Sequence, residues 1–124
     1  MRYREHSLQS VCVRWFRMQY PKMASMLIAV PNAARRNAVQ ARILKDEGML
    51  AGVADLLLLV SCGGYGCLCI EMKTAKGRQS DTQKEWQAQA EANGDLYVVC
   101  RDFFDFKQLI DNYLNNKLIK PETT

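Results

Sequence analysis

Histidine is almost missing from this chain of 124 residues, proline is sparse and no apolar run approaches membrane length. There is one histidine, His6, and there are three prolines. The longest aliphatic runs, Met26–Val30 and Leu56–Val60, are five residues each, against roughly 20 for a membrane span. No spanning segment is therefore expected. The opening Met-Arg-Tyr-Arg-Glu-His lacks the apolar stretch of a secretory signal, so a cytoplasmic protein is expected. Five cysteines (Cys12, Cys62, Cys67, Cys69, Cys100) form no Cys-x-x-Cys and have one histidine to join them. Neither a structural zinc site nor a disulfide scaffold is expected. Cys67 and Cys69 alternate within an apolar run, which suits reduced cysteines on a strand.

Acidic residues are scarce in the first third. Residues 1–45 hold nine Lys/Arg and one acid, Glu5, a balance of +8; the other 79 residues hold eight bases and twelve acids, a balance of −4. Such a basic half is the electrostatic footprint of phosphate binding, or else a solvated helix face. With 48% hydrophobic and 24% charged residues, the composition is that of a globular chain with one core. A single domain over residues 1–119 is expected, with a frayed tail at 120–124.

Hydrophobic periodicity orders the chain as α-β-α-β-β-α-β-α. Leu8, Val11, Cys12, Trp15, Phe16 and Met18 give an amphipathic helix over Glu5–Tyr20, ended by Pro21. Met26–Val30 reads as a buried strand stopped by Pro31-Asn32. Asn37 caps a second helix through about Glu47, closed by Gly48. Leu56–Val60 and Cys67–Met72 flank Ser-Cys-Gly-Gly-Tyr-Gly and read as an antiparallel hairpin. Thr82–Asn93 is a third helix, Leu96–Cys100 a further strand and Phe103–Leu118 a last amphipathic helix. The fold class is α/β, a mixed central sheet flanked by helices.

Two acids stand where a buried hairpin would not ordinarily place them. Asp55 precedes one strand and Glu71 ends the other, with Lys73 two residues on and therefore on the same face. A turn centred on Gly63 sets Asp55 directly opposite Glu71, with Cβ atoms about 4.5–5.5 Å apart; a turn centred on Tyr65 would misalign them. Carboxylates so close repel unless a cation lies between them, and hard oxygen ligands suit Mg²⁺ or Mn²⁺. Lys73 would orient or deprotonate an attacking water, or neutralise charge developing on a phosphate. The alternative is a structural ion pair at a sheet end. An acid-x-Lys triplet alone is weak; Asp105-Phe106-Lys107 is a second, set aside because i, i+2 residues on a helix point apart.

These residues resemble the core of the PD-(D/E)xK nuclease superfamily and, more closely, the VRR-NUC (virus-type replication-repair nuclease) domain. The matching pieces occur in the family's order across about residues 5–115. They are Glu5 with Gln9, Pro31-Asn32, Ala51-Gly52-Val53-Ala54-Asp55, Glu71-Met72-Lys73, Gln83-Lys84-Glu85-Trp86 and the Tyr97–Arg101 strand. The family usually has proline where this chain has Ala54, a departure that touches loop rigidity more than the retained carboxylate.

The resemblance implies a restriction-endonuclease-like fold in which Asp55, Glu71 and the Met72 backbone carbonyl bind a divalent metal, Mg²⁺ or Mn²⁺. Lys73 would position the water, Glu5 would be a further acidic ligand, and Gln83 a supporting residue. Read alone, Glu5 is a helix-dipole acid, Gln83 a first-turn polar residue and Trp86 core packing. Arg35, Arg36, Arg42, Lys76 and Arg78, with Arg2, Arg4, Arg14 and Arg17, would hold DNA by phosphate contacts that do not read sequence. The expected activity is a DNA endonuclease selective for branched DNA such as junctions or flaps, from a virus or phage, acting as a homodimer without an organic cofactor. The rivals are a noncatalytic nucleic-acid-binding module of the same fold and a sequence-specific restriction-type enzyme.

Overall fold

Helix α1 spans Glu5–Gln19 in the computed structural model, which describes residues 5–31 and 37–122. Its buried stripe is Leu8, Cys12 and Phe16, spaced by four. Met18, expected on that face, is 83% exposed; at i+2 from Phe16 it points off the stripe. Pro21 opens a 3₁₀ turn, Pro21–Met26, that takes Met26 out of the expected strand. Strand β1 is thus Leu27–Ala29, and Leu27 alone among its residues is buried. The buried strand anticipated here is an edge strand, although backbone bonds continue past it from Leu59 N–H to Met26 O and from Val30 N–H to Asp55 O, both 2.9 Å.

Helix α2 covers Ala38–Asp46, capped as expected: the Asn37 side chain accepts from Gln40 N at 2.8 Å. It buries no residue. Strands β2 (Leu56–Leu58) and β3 (Leu68–Met72) pair antiparallel as Leu56↔Ile70, Leu57↔Cys69 and Leu58↔Leu68. That is the register expected for a turn centred on Gly63, but the turn itself is different. Cys62 and Tyr65 bridge across Gly63-Gly64, both glycines with positive φ (61° and 88°), as a two-residue primed hairpin turn demands. Three residues separate this bridge from the Leu58↔Leu68 pair on one strand and two on the other. The extra residue restores the register that a centre between Gly63 and Gly64 would have shifted.

Helix α3 (Asp81–Ala92) is the crossover that parallel pairing requires, leading to β4 (Leu96–Cys100) beside β3. The sheet order is β1-β2-β3-β4, a mixed sheet of the expected class. Helix α4 runs Phe103–Leu114, four residues shorter than expected, because Asn116 takes a left-handed conformation (φ 57°). The chain beyond it docks on the hairpin. Lys120, first residue of the tail expected to fray, donates its amide to Gly63 O at 2.7 Å. Among the described residues, no helix is long and apolar enough to cross a membrane.

Alternation along the strands divides the interior into two unequal parts. On one face Leu56, Leu58, Leu68, Ile70 and Met72 meet α1 and α4 through Cys12, Phe16, Phe106, Ile110 and Tyr113. On the other, Leu57, Cys69 and Tyr97 meet Ala54 and the Trp86 and Ala90 side chains of α3 in a much smaller cluster. Trp86 is a packing residue there, half-buried against the Tyr97 ring.

Candidate active site

Odd positions of β3 face α3, so Cys69 is followed on that side by Glu71 and then Lys73. Asp55 lies one residue before β2, level with Glu71 in the observed register. Asp55 Oδ2 accepts from Met72 N at 2.7 Å, which ties its carboxylate to the end of β3. Glu71 is fully buried. Its Oε2 accepts from Gln83 Nε2 at 3.0 Å.

The local sequence explains how Gln83 comes to be there. Ser80 caps α3, its hydroxyl accepting from Gln83 N at 3.2 Å, while Gln83 Oε1 accepts from Ser80 N at 2.9 Å. This capping box occupies the amide's oxygen and turns its NH₂ toward Glu71. The loop carrying Asp55 is pressed onto the same turn. Gly52 has φ +90°, and a Cβ on it would lie 2.6 Å from Thr82 O. No other residue fits this approach, which seats Ala51–Asp55 against the first turn of α3. Ala54, where the family usually has proline, is fully buried in the α3 cluster.

Lys73 is half-buried and continues the ladder by donating its amide to Cys100 O at 3.0 Å. Behind it, residues 74–77 make a turn closed by Gly77 N to Thr74 O at 3.0 Å. Arg101 Nη1 donates to both Thr74 O (2.9 Å) and Gly77 O (2.7 Å), clamping that turn from the end of β4. Lys76 and Arg78 are exposed on this clamped loop, directly beyond Lys73.

A cleft of about 230 Å³ opens beside these groups, lined by Asp55, Gln83, Gly52, Pro31 and Lys45 among others. A larger, open groove of about 660 Å³ follows the outer edge of β4 and includes none of the expected site residues. Lys45, from the last turn of α2, is a cation at the cleft that the sequence did not single out; it was legible only as one base in a basic half. Gln79 was also missed. Its Nε2 donates to Gln87 Oε1 (2.9 Å) and to the Tyr97 hydroxyl (3.1 Å) beneath the carboxylates. The Tyr97 hydroxyl is pushed up to about 12, chiefly by burial. The bond from Gln79 works against this, and the charges of Glu71 and Asp55 add to it.

The structure therefore brings together Asp55, Glu71, Met72, Lys73 and Gln83. Arg42 is exposed on α2; Arg14 and Arg17 are exposed on α1, whose buried side packs on the sheet face away from Glu71. Arg2, Arg4, Asn32, Arg35, Arg36 and the side chain of Glu5 lie outside the described residues.

Two carboxylates, one of them fully buried, stand level at this end of the sheet, and carboxylate oxygens are the hard donors that a divalent cation takes. The residues thus fit a divalent metal. Comparison with known proteins bears on the same region. The profile of the VRR-NUC domain matches residues 2–103. A solved structure described as a VRR_NUC domain protein superimposes with a TM-score of 0.79 at 24% identity, covering 90% of this chain and 88% of that one. A search of curated proteins returns no significant match.

Proposed function

The chain belongs to the VRR-NUC family and has a nuclease-type fold, and from that premise we propose that it is a divalent-metal-dependent DNA endonuclease using Asp55, Glu71 and Lys73. One observation carries the reading: Asp55 stands level with the buried Glu71 on the α3 face, with Lys73 next on that face. Asp55, Glu71 and the Met72 carbonyl would hold Mg²⁺ or Mn²⁺, joined by Glu5. When bound, such an ion lowers the pKa of a coordinated water and neutralises charge on a scissile phosphate.

The remaining work belongs to the chain. Lys73 holds the attacking water in line and meets negative charge as it develops on the phosphate. Gln83 keeps the Glu71 carboxylate in one orientation, so the metal meets a fixed ligand. Lys76 and Arg78, on the loop clamped by Arg101, hold flanking phosphates, with Arg35, Arg36 and Arg42 extending the contact. Phosphate contacts from scattered basic residues do not read sequence and support selection by DNA shape, hence branched substrates in viral replication, repair or recombination. A homodimer would place two centres on two strands; Val39 and Ile43, exposed on α2, leave apolar surface for a second copy.

The test is cleavage of labelled linear, flapped and four-way-junction DNA with Mg²⁺ or Mn²⁺, beside a Lys73→Ala control. Metal-dependent cutting of the branched DNA that the control lacks is expected. Binding without cutting under either metal would favour the noncatalytic module, and one preferred sequence among the products would favour a restriction-type enzyme.

A further inference from the structure

We infer that Cys67, Cys69 and Asp95 form a second metal site, for a thiophilic divalent cation such as Zn²⁺, at the end of β3 opposite the carboxylate pair. The ligand atoms of the three residues all lie within 4.8 Å of one another. The Cys67 and Cys69 sulfurs are 4.0 Å apart. Two thiolates on a tetrahedral Zn²⁺, each about 2.3 Å from the metal, stand about 3.8 Å apart. The observed separation is within a few tenths of an ångström of that edge, so the two sulfurs are already spaced for one metal and the Asp95 carboxylate closes onto it from within 4.8 Å.

The Cys-x-x-Cys spacing sought in the sequence belongs to loops. On an extended strand, Cys-x-Cys sends both sulfurs to one face, and the third ligand arrives from the turn before β4, 28 residues after Cys67. A disulfide suits the pair less well. Residues i and i+2 of a strand have Cα atoms roughly 6.6–6.8 Å apart, the upper limit for a disulfide.

The third ligand is held in place. Asp95 Oδ1 accepts from Cys67 N at 3.1 Å, Asp95 Oδ2 accepts from Asn93 Nδ2 at 3.1 Å, and Leu96 N donates to Cys67 O at 3.0 Å. These bonds fix the carboxylate and leave each oxygen a lone pair for a metal. Gly66 makes room for it, since a Cβ there would lie 2.8 Å from Asp95 Oδ1. Cys69 is buried and Cys67 and Asp95 are half-buried, so a fourth position stays open to water. A metal here would fasten the segment entering β3 to the segment entering β4. Soft sulfur ligands exclude Mg²⁺ and Mn²⁺, so this site and the carboxylate pair select different ions on one face.

Cobalt(II) titration of the full chain, anaerobic and with a non-thiol reductant, tests this without any nuclease assay. One equivalent is expected to give thiolate-to-cobalt charge-transfer absorption, displaced by Zn²⁺ and untouched by Mg²⁺. Cys67→Ser, at the half-buried sulfur, should abolish it. Asp95→Asn keeps the oxygen that accepts from Cys67 N and should weaken affinity by roughly tenfold or more. Asp55→Asn should leave the band intact, which separates this site from the carboxylate pair. No charge-transfer band, a band indifferent to Cys67→Ser, or a Cys67–Cys69 disulfide formed in place of the complex would overturn the assignment.

Discussion

The two faces of the sheet are built from alternate residues of the same strands and put them to different ends. The α1/α4 face buries Leu56, Leu58, Leu68, Ile70 and Met72 under large side chains such as Phe16, Phe106 and Tyr113. The α3 face has a small apolar cluster and otherwise carries two hydrogen-bonded groups, Glu71 with Gln83, and Gln79 with Gln87 and the Tyr97 hydroxyl. Polar groups buried in this way cost stability unless satisfied, and gain most electrostatically where water is excluded. One face supplies the free energy of folding, and the other spends part of it on holding charge.

Substitutions on the α1/α4 face should therefore act on stability first. Phe106→Ala empties a fully buried position and should cost about 3–5 kcal/mol in urea unfolding, with any surviving folded fraction retaining metal binding. A loss under 1 kcal/mol would break the division.

Alkali should also strike that face. The Cys12 and Cys100 thiols are each pushed up from 9.0 to about 12, above all by burial, helped by the neighbouring charge of Asp102 and, for Cys100, more strongly by that of Asp105. Above pH 9 the unfolded chain loses these protons while the fold keeps them. Stability is thus complete below pH 9 and drains between pH 9 and 12, by roughly 1.4 kcal/mol per pH unit for each thiol. Denaturant midpoints should hold from pH 8 to 9 and fall from pH 9 to 11; a flat profile would contradict the burial of these groups.

Gln83 sharpens the comparison because it belongs to both accounts. Gln83→Ala removes half of a capping box and the bond to Glu71, and should cost about 1 kcal/mol together with a fall in cleavage. Gln83→Glu keeps an acceptor for Ser80 N but points a carboxylate at Glu71. It should retain the cap and lose cleavage; equal effects of the two on stability and activity would make Gln83 purely structural. The smallest change is expected from Lys76→Ala and Arg78→Ala, each lowering the salt slope of DNA binding by about 1 without altering stability.

How much of this could be read beforehand follows the same division. Strand β4 and the helices α1, α2 and α3 were legible because period, caps and breakers agree locally, as with Asn37 and Pro21. The opposition of Asp55 and Glu71 was legible from the hairpin, although the turn lies on Gly63-Gly64 and an extra residue restores the register. The early end of α4 was not legible, because Leu118 continues the apolar pattern while Asn116 turns the chain. Arg101, Gln79 in its bond to Tyr97, and Lys45 act 18 or more residues away or across a cleft, which periodicity does not encode. The pairing of Cys67 and Cys69 with Asp95 was hidden for the same reason.

The most direct test of the central claim is Glu71→Gln, with cleavage of branched DNA in Mg²⁺ measured beside the free energy of unfolding. The account expects cleavage to vanish while the chain stays folded, since the amide keeps an oxygen to accept from Gln83 Nε2 but loses the charge that a divalent metal takes. Retained cleavage would contradict it, and would show that Glu71 is held there as structure alone.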